Sequence, residues 1–277
     1  MAQKRLAAIH DLSCFGKCSL TVALPVLSAA GVETAVIPTA LLSTHTGGFS
    51  QPVIRDLTDS ILPVAEHWNR EGITVDAVYT GYLLSKEQIA PVLQAISRIG
   101  REDTLIVSDP VMADHGALYR GFSPDFPAAM LALCRAADVI TPNVTEAALL
   151  TETPWKAEYS KGEIEEMLKR LYDLTGADIV MTGVSFEEQR LGAAVYEGQN
   201  AEFLFADRLQ KNYHGTGDLF ASALIAALLN EKSLRASAQV AINFVCGCIK
   251  ATMDAGTEER CGVAFEGRLP DLIRMLS

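Results

Sequence analysis

Asn212-Tyr213-His214-Gly215-Thr216-Gly217-Asp218 sets two glycines and an acid directly ahead of the small-residue run Leu219–Ala223. Glycines at 215 and 217 let backbone N–H groups turn toward one point, and a helix starting there adds the positive end of its dipole, so the segment is a candidate anion site. A transferring phosphoryl group would suit it: the amides of Gly215, Thr216 and Gly217 would meet its oxygens, and Asp218 would take the proton of an attacking hydroxyl. An acid in a first helical turn is also simply a favourable charge. Two further segments weigh against that plainer reading.

Thr141-Pro142-Asn143-Val144-Thr145-Glu146 follows a short apolar run. Asn143 and Glu146, three apart on one helix face, suit phosphate oxygens and metal-bound water, although the same spacing is that of an ordinary helix cap. Asn143-x-Thr145 also matches a glycosylation sequon, which has no role in a cytosolic chain. Ser108-Asp109-Pro110-Val111-Met112-Ala113-Asp114 places carboxylates at a strand end. A lone Asp-Pro is most often a turn, but beside Glu146 these acids describe a divalent-cation environment.

The elements that must position these groups follow from hydrophobic period. Strands are expected at Leu6–Ile9, Thr34–Leu41, Ala77–Thr80, Leu105–Ser108, Val139–Ile140 and Ile179–Met181, and helices at Cys18–Ala30, Val53–Asn69, Lys86–Ile99, Pro127–Cys134, Thr145–Leu150 and Lys161–Thr175. Gly192–Glu197 and Ala201–Ala206, split by Gly198-Gln199-Asn200, read as an antiparallel hairpin closing one sheet edge. Helices at Asp218–Leu229, Leu234–Met253 and Pro270–Leu276 end the chain. The alternation is that of parallel βαβ units, in which ligands gather at the carboxyl ends of the strands. No repeat or linker divides residues 1–277, so one domain is expected.

With 23 Lys and Arg against 34 Asp and Glu, the formal net charge of −11 provides no overall field for nucleic acid or anionic lipid. Met1–Arg5 carry two cations, but His10-Asp11 breaks the following apolar stretch, which cannot be a signal-peptide core. No apolar run approaches the roughly 18 residues of a membrane span. The six cysteines form no paired Cys-x-x-Cys knuckles and read as reduced thiols. These features together describe a cytoplasmic protein with neither membrane nor nucleic-acid partner.

In order and separation the three polar segments resemble the ribokinase superfamily, through Asn143-x-x-Glu146 and Gly215-x-Gly217-Asp218. The resemblance implies an α/β, ribokinase-like three-layer fold with a central, mostly parallel sheet and helices on both faces. It also implies ATP across the carboxyl edge and Asp218 as general base. Ser43-Thr44-His45-Thr46-Gly47-Gly48-Phe49 and Thr80-Gly81-Tyr82 are similar to the corresponding stretches of the pyridoxal kinase branch. That likeness implies phosphorylation of the 5′-hydroxymethyl group of pyridoxal, pyridoxine or pyridoxamine by a homodimer. By the same likeness His45 and Thr46 contact the pyridine and Tyr82 walls its side. Asp109, Thr141 and Glu146 fall on magnesium and monovalent (potassium or sodium) cation sites. Asp114, Tyr119, Asn143, Thr182 and Gly183 fall on the nucleotide side.

The chain also departs from that branch. Asp11 stands where many pyridoxal kinases have Ser, and is expected to hydrogen-bond the pyridine nitrogen or a ring substituent; Thr44 and Phe49 replace Asn and Tyr. A hydroxymethylpyrimidine kinase on the same scaffold is the alternative, although the Gly-rich opening typical of that group is missing. A non-catalytic vitamer or nucleotide sensor is a further alternative, against which stands the intact pair of signatures.

Overall fold

The computed structural model describes residues 3–277; Met1 and Ala2 of the cationic opening lie outside it. β1 (Arg5–Ser13), α1 (Leu20–Ala29) and β2 (Glu33–Leu42) form the first βαβ unit; β3 (Ile54–Asp56), α2 (Thr58–Arg70), β4 (Ala77–Thr80), α3 (Ile89–Ile99) and β5 (Leu105–Ser108) follow. A small separate hairpin, β6 (Ala113–Asp114) and β7 (Ala117–Leu118), precedes α4 (Phe126–Cys134), β8 (Val139–Ile140), α5 (Val144–Leu150) and α6 (Lys161–Thr175). Last come β9 (Asp178–Val184), β10 (Arg190–Tyr196), β11 (Glu202–Asp207), α7 (Thr216–Leu229), α8 (Leu234–Asp254) and α9 (Leu269–Leu276).

One nine-stranded sheet runs β11-β10-β9-β8-β5-β4-β1-β2-β3. Its six central strands, β9 to β2, are parallel, as expected, and the predicted hairpin β10–β11 closes one edge antiparallel. Strands covered on both faces must be apolar throughout, and β1 shows why. Leu6 and Ala8 join the core under α1, α7 and α8, whereas Ala7 and Ile9 join the core under α2 to α6. The period-two alternation carries His10 onto the α7 side. Because β1 is flanked by β2 on one side and β4 on the other, the crossover direction reverses there, and in open sheets of this kind ligands gather at the carboxyl end of such a strand.

Two local expectations are corrected. The helix expected over Val53–Asn69 begins only at Thr58, because Ile54, Arg55 and Asp56 pair antiparallel with Leu42, Leu41 and Ala40. Three residues are too few to show a strand period, and Asp56 Oδ1 then accepts the Thr58 N–H at 2.8 Å as the helix opens. The second edge of the sheet is therefore also antiparallel. The β6–β7 hairpin was not anticipated either: His115 and Gly116 both take positive φ, 49° and 80°, the geometry of a two-residue turn more often signalled by Asn-Gly.

Candidate active site

Gly215 and α7 build the cradle. Gly215 has φ +78°, and a Cβ there would lie 1.9 Å from the Lys17 carbonyl oxygen, so both conformation and space demand glycine. At Gly217 a Cβ would meet nothing within 4 Å, leaving that side of the turn open. Among the described residues no acceptor meets the N–H groups of Gly215, Thr216, Gly217 or Asp218. A helix start presenting four unpaired amides is an anion site by construction.

Asp218, in the first turn of α7, is 13% exposed and held at both oxygens. Oδ2 accepts the Ser19 N–H at 2.8 Å; Oδ1 lies 3.1 Å from His10 Nε2. Ser19 delivers that N–H from φ 58°, a conformation side chains rarely adopt, which marks a geometry retained for the contact. His10 is fully buried, and its Nδ1 lies 3.1 Å from Asp11 Oδ1. Burial alone would lower the imidazole pKa, but hydrogen bonds to Asp11 and Asp218 outweigh it and raise the pKa to about 10. Asp11, expected to face a ring substrate, is instead 2% exposed and engaged by His10 and by Ser13 Oγ at 3.0 Å. The glycine of Thr80-Gly81-Tyr82 has a clear purpose, since a Cβ at Gly81 would lie 1.9 Å from His10 Nε2.

The cation side lies at the ends of β5 and β8. Asp109 and Thr141 are buried; burial and the charge of Asp218 push the Asp109 carboxyl up to about 7, with His10 pulling the other way. Thr141 Oγ1 makes no hydrogen bond of good geometry, although it lies close enough to Asp109 to pull that carboxyl's pKa down. A buried acid and a neighbouring buried hydroxyl without a well-formed hydrogen bond, on adjacent strand ends, fit a hard cation. No cluster of three or more His, Cys, Asp or Glu side chains suited to a metal occurs among the described residues. Such an ion would complete its shell with water and phosphate oxygens, as magnesium commonly does.

Glu146 and Asn143 form a reciprocal capping box at the start of α5 and also tether the neighbouring loop. Glu146 accepts the N–H groups of Met112 at 3.0 Å, Ala113 at 3.4 Å and Asn143 at 2.9 Å, while Asn143 Nδ2 donates to the Ala113 carbonyl at 2.8 Å. Burial and Asp109 hold the Glu146 carboxyl well above its usual range against those three amides. Asp114, capping the His115 N–H at 2.8 Å, and the part-exposed Tyr119 sit on the loop so tethered. Thr182 bridges to Asn143 beside Gly183, whose φ is +77°. These nucleotide-side candidates thus converge on one rim.

The outer loops bring His45 to the cradle's entrance. His45 Nε2 donates to the Arg260 carbonyl at 2.7 Å, and Nδ1 accepts the Gly47 N–H at 3.2 Å. Its ring lies 4.9 Å from that of His214, the residue before Gly215, and 5.0 Å from Phe49. Phe15 reaches Phe49 at 5.9 Å, and the Arg260 guanidinium covers the Phe49 ring. Thr46 is exposed on the same loop. Tyr82 tilts against Phe122, its hydroxyl pushed up to about 12 mainly by burial. Sequence reasoning missed His10 and Ser19 as site residues. His10 was visible as a polar break in an apolar strand, whereas the Ser19 contact is made by backbone and leaves no signal.

A carboxylate directed by two donors, beside unpaired amides and an acidic cation pocket, is what an alcohol needs to attack a phosphoryl group. Fold and site together define an α/β small-molecule kinase. The chain belongs to the phosphomethylpyrimidine kinase family, whose model matches residues 22–262. A hydroxymethylpyrimidine/phosphomethylpyrimidine kinase of Rhizobium meliloti is 31% identical over 220 residues, 77% of this chain and 78% of its own. A Bacteroides thetaiotaomicron protein provisionally named a phosphomethylpyrimidine kinase, solved with pyridoxal, superposes with TM-score 0.91 at 36% identity, covering 98% of this chain and 96% of its own. The pyridoxal kinase of Lactobacillus plantarum gives TM-score 0.91 at 34% identity over 99% and 98% of the two chains.

Proposed function

We propose that the protein transfers the γ-phosphoryl group of ATP to the 5′-hydroxymethyl group of a vitamin B6 vitamer: pyridoxal, pyridoxine or pyridoxamine. The observation that carries the chemistry is Asp218, held by Ser19 and His10 beside the unpaired amides of Gly215 to Asp218. The substrate oxygen bonds the γ-phosphorus as the bond to the bridging oxygen breaks; ADP leaves with that electron pair, and Asp218 takes the hydroxyl proton. The amides would meet charge on the equatorial oxygens. Asp109 and Thr141 would hold magnesium, with Glu146 acting through water, and the bound ion would supply charge neutralisation at the phosphates. Potassium or sodium is a further proposed cation. His45, Thr46 and Tyr82 are proposed for the ring side; Asp11, buried and bonded to His10, is proposed to support Asp218 instead. Asp114, Tyr119, Asn143, Thr182 and Gly183 are proposed for the nucleotide side. We further propose a homodimer working in the cytoplasm.

The B6 substrate is supported by the similar Bacteroides structure, which was solved with pyridoxal, and by the name of the Lactobacillus relative. The family model and the Rhizobium relative favour a second reading, a hydroxymethylpyrimidine kinase sharing the same base. ADP release measured side by side on the three vitamers and on hydroxymethylpyrimidine separates the two. Faster turnover on a vitamer is expected, and faster turnover on the pyrimidine overturns the B6 assignment. Asp218→Asn should lower kcat by about 10²–10⁴-fold while leaving ATP binding largely intact; near-normal turnover would remove Asp218 from the base role.

A further inference from the structure

We propose that His10 is a positioning residue for this reaction: as an imidazolium clamped between Asp11 and Asp218, it aims the base and sets a positive charge beside it. The inference rests on the reading of Asp218 as base. With no solvent exposure, His10 cannot meet a substrate and must act through another group. Its two ring nitrogens lie 3.1 Å from Asp11 Oδ1 and 3.1 Å from Asp218 Oδ1, and Ser13 Oγ donates to the far oxygen of Asp11 at 3.0 Å. The Asp11 and Tyr82 amides also approach Nδ1, at 3.0 and 3.2 Å. A bare Nδ1 would accept from those amides, but its lone pair would then face a carboxylate oxygen at 3.1 Å. A ring protonated on both nitrogens serves both carboxylates and leaves those two amides without an acceptor there; with a carboxylate at each nitrogen, that is the form proposed.

The ring is fixed from other sides too. Tyr79 packs against it edge-on with centroids 5.7 Å apart, and Gly81 leaves the space it occupies. With Oδ1 held by His10 and Oδ2 by the Ser19 N–H, rotation of the Asp218 carboxylate breaks one contact or the other. The charged and titratable groups around His10, Asp11 and Asp218 are Asp109 after β5, the Tyr79 hydroxyl on β4, the Tyr82 hydroxyl after it, the Tyr119 hydroxyl after β7 and the Cys18 thiol ahead of α1. The other ionisable groups here are acids, so His10 is the one local source of positive charge beside Asp218 among the described residues. Its pKa, raised to about 10, agrees with that role.

The test pairs a spectroscopic readout with a pH profile. In histidine-¹⁵N-labelled, unliganded parent protein, His10 assigned through contacts with the Tyr79 ring should show both nitrogens protonated across pH 6 to 9. A bare Nδ1 at pH 7 overturns the proposal, whatever the activity. His10→Gln keeps a donor toward Asp218 without the charge. It should lower kcat at least about tenfold at pH 7, change the KM for ATP by less than about threefold, and shift the acid limb of kcat/KM upward by about one pH unit or more. Asp11→Asn should shift it the same way by less. A His10→Gln profile with an unmoved acid limb also overturns the proposal. Should only the base reading fail, Asp218→Asn would retain turnover while the His10 resonances remained those of an imidazolium.

Discussion

Asp109 and His10 are both buried at the carboxyl edge of the sheet, and each ties stability to pH. The Asp109 pKa is raised from 3.8 to about 7, so its contribution to folding is whole below about 4 and is lost as pH rises through about 7, where the buried carboxylate must ionise. His10 has the same sign in a higher window: its contribution is whole below 6.5 and is lost as pH passes about 10. Asp109→Asn removes the lower transition. Thermal melts of the unliganded variant should therefore show a smaller fall in midpoint between pH 5 and pH 8 than the parent, together with severe loss of kinase activity. Equal falls in both proteins would mean that Asp109 is not ionising at a cost.

At the scale of elements, the two glycines ahead of α7 serve different needs. Gly215 lies against the Lys17 carbonyl with left-handed backbone, so Gly215→Ala should cost about 1–3 kcal/mol for the conformation alone, plus the clash. Lower melting midpoint and lower turnover should appear together. Gly217 has open space and no positive φ. Gly217→Ala should leave the midpoint unchanged or raise it by up to about 1 kcal/mol in stability, since alanine is the better helix former. Its effect should fall on ATP turnover, because the methyl group would occupy the side from which a phosphate approaches. If Gly217→Ala unfolds the protein while Gly215→Ala does not, the division of labour is wrong.

For the whole molecule, the core under α1, α7 and α8 and the core under α2 to α6 are the two faces of one sheet. The central strands contribute alternate residues to both, so neither layer has a complete core without the other. We propose one folding unit over residues 1–277. Far-UV and near-UV circular dichroism should report coincident thermal transitions; two separated transitions would divide the chain into independent parts. Among the described residues no helix is long and apolar enough to cross a membrane.

Much of this protein was legible in its sequence because the information is local. Apolar runs buried on both faces identified the parallel strands, and Gly215-x-Gly217-Asp218 and Asn143-x-x-Glu146 marked the starts of α7 and α5 where the candidate site is placed, since turn geometry and helix starts depend on neighbouring residues. Short elements escaped: β3 and the β6–β7 hairpin are held by pairing partners and by a His115-Gly116 turn, not by any period of their own. What only tertiary structure decided was the partner of each polar group. Asp11 and Asp218 lie 207 positions apart in the chain, yet His10 touches both carboxylates. The acid expected to read a substrate ring is thereby directed to an imidazole, and through it to Asp218. Strand order brings them together, because β1 sits where the sheet reverses and the first turn of α7 reaches its end through Asp218, a juxtaposition that no spacing along the chain encodes.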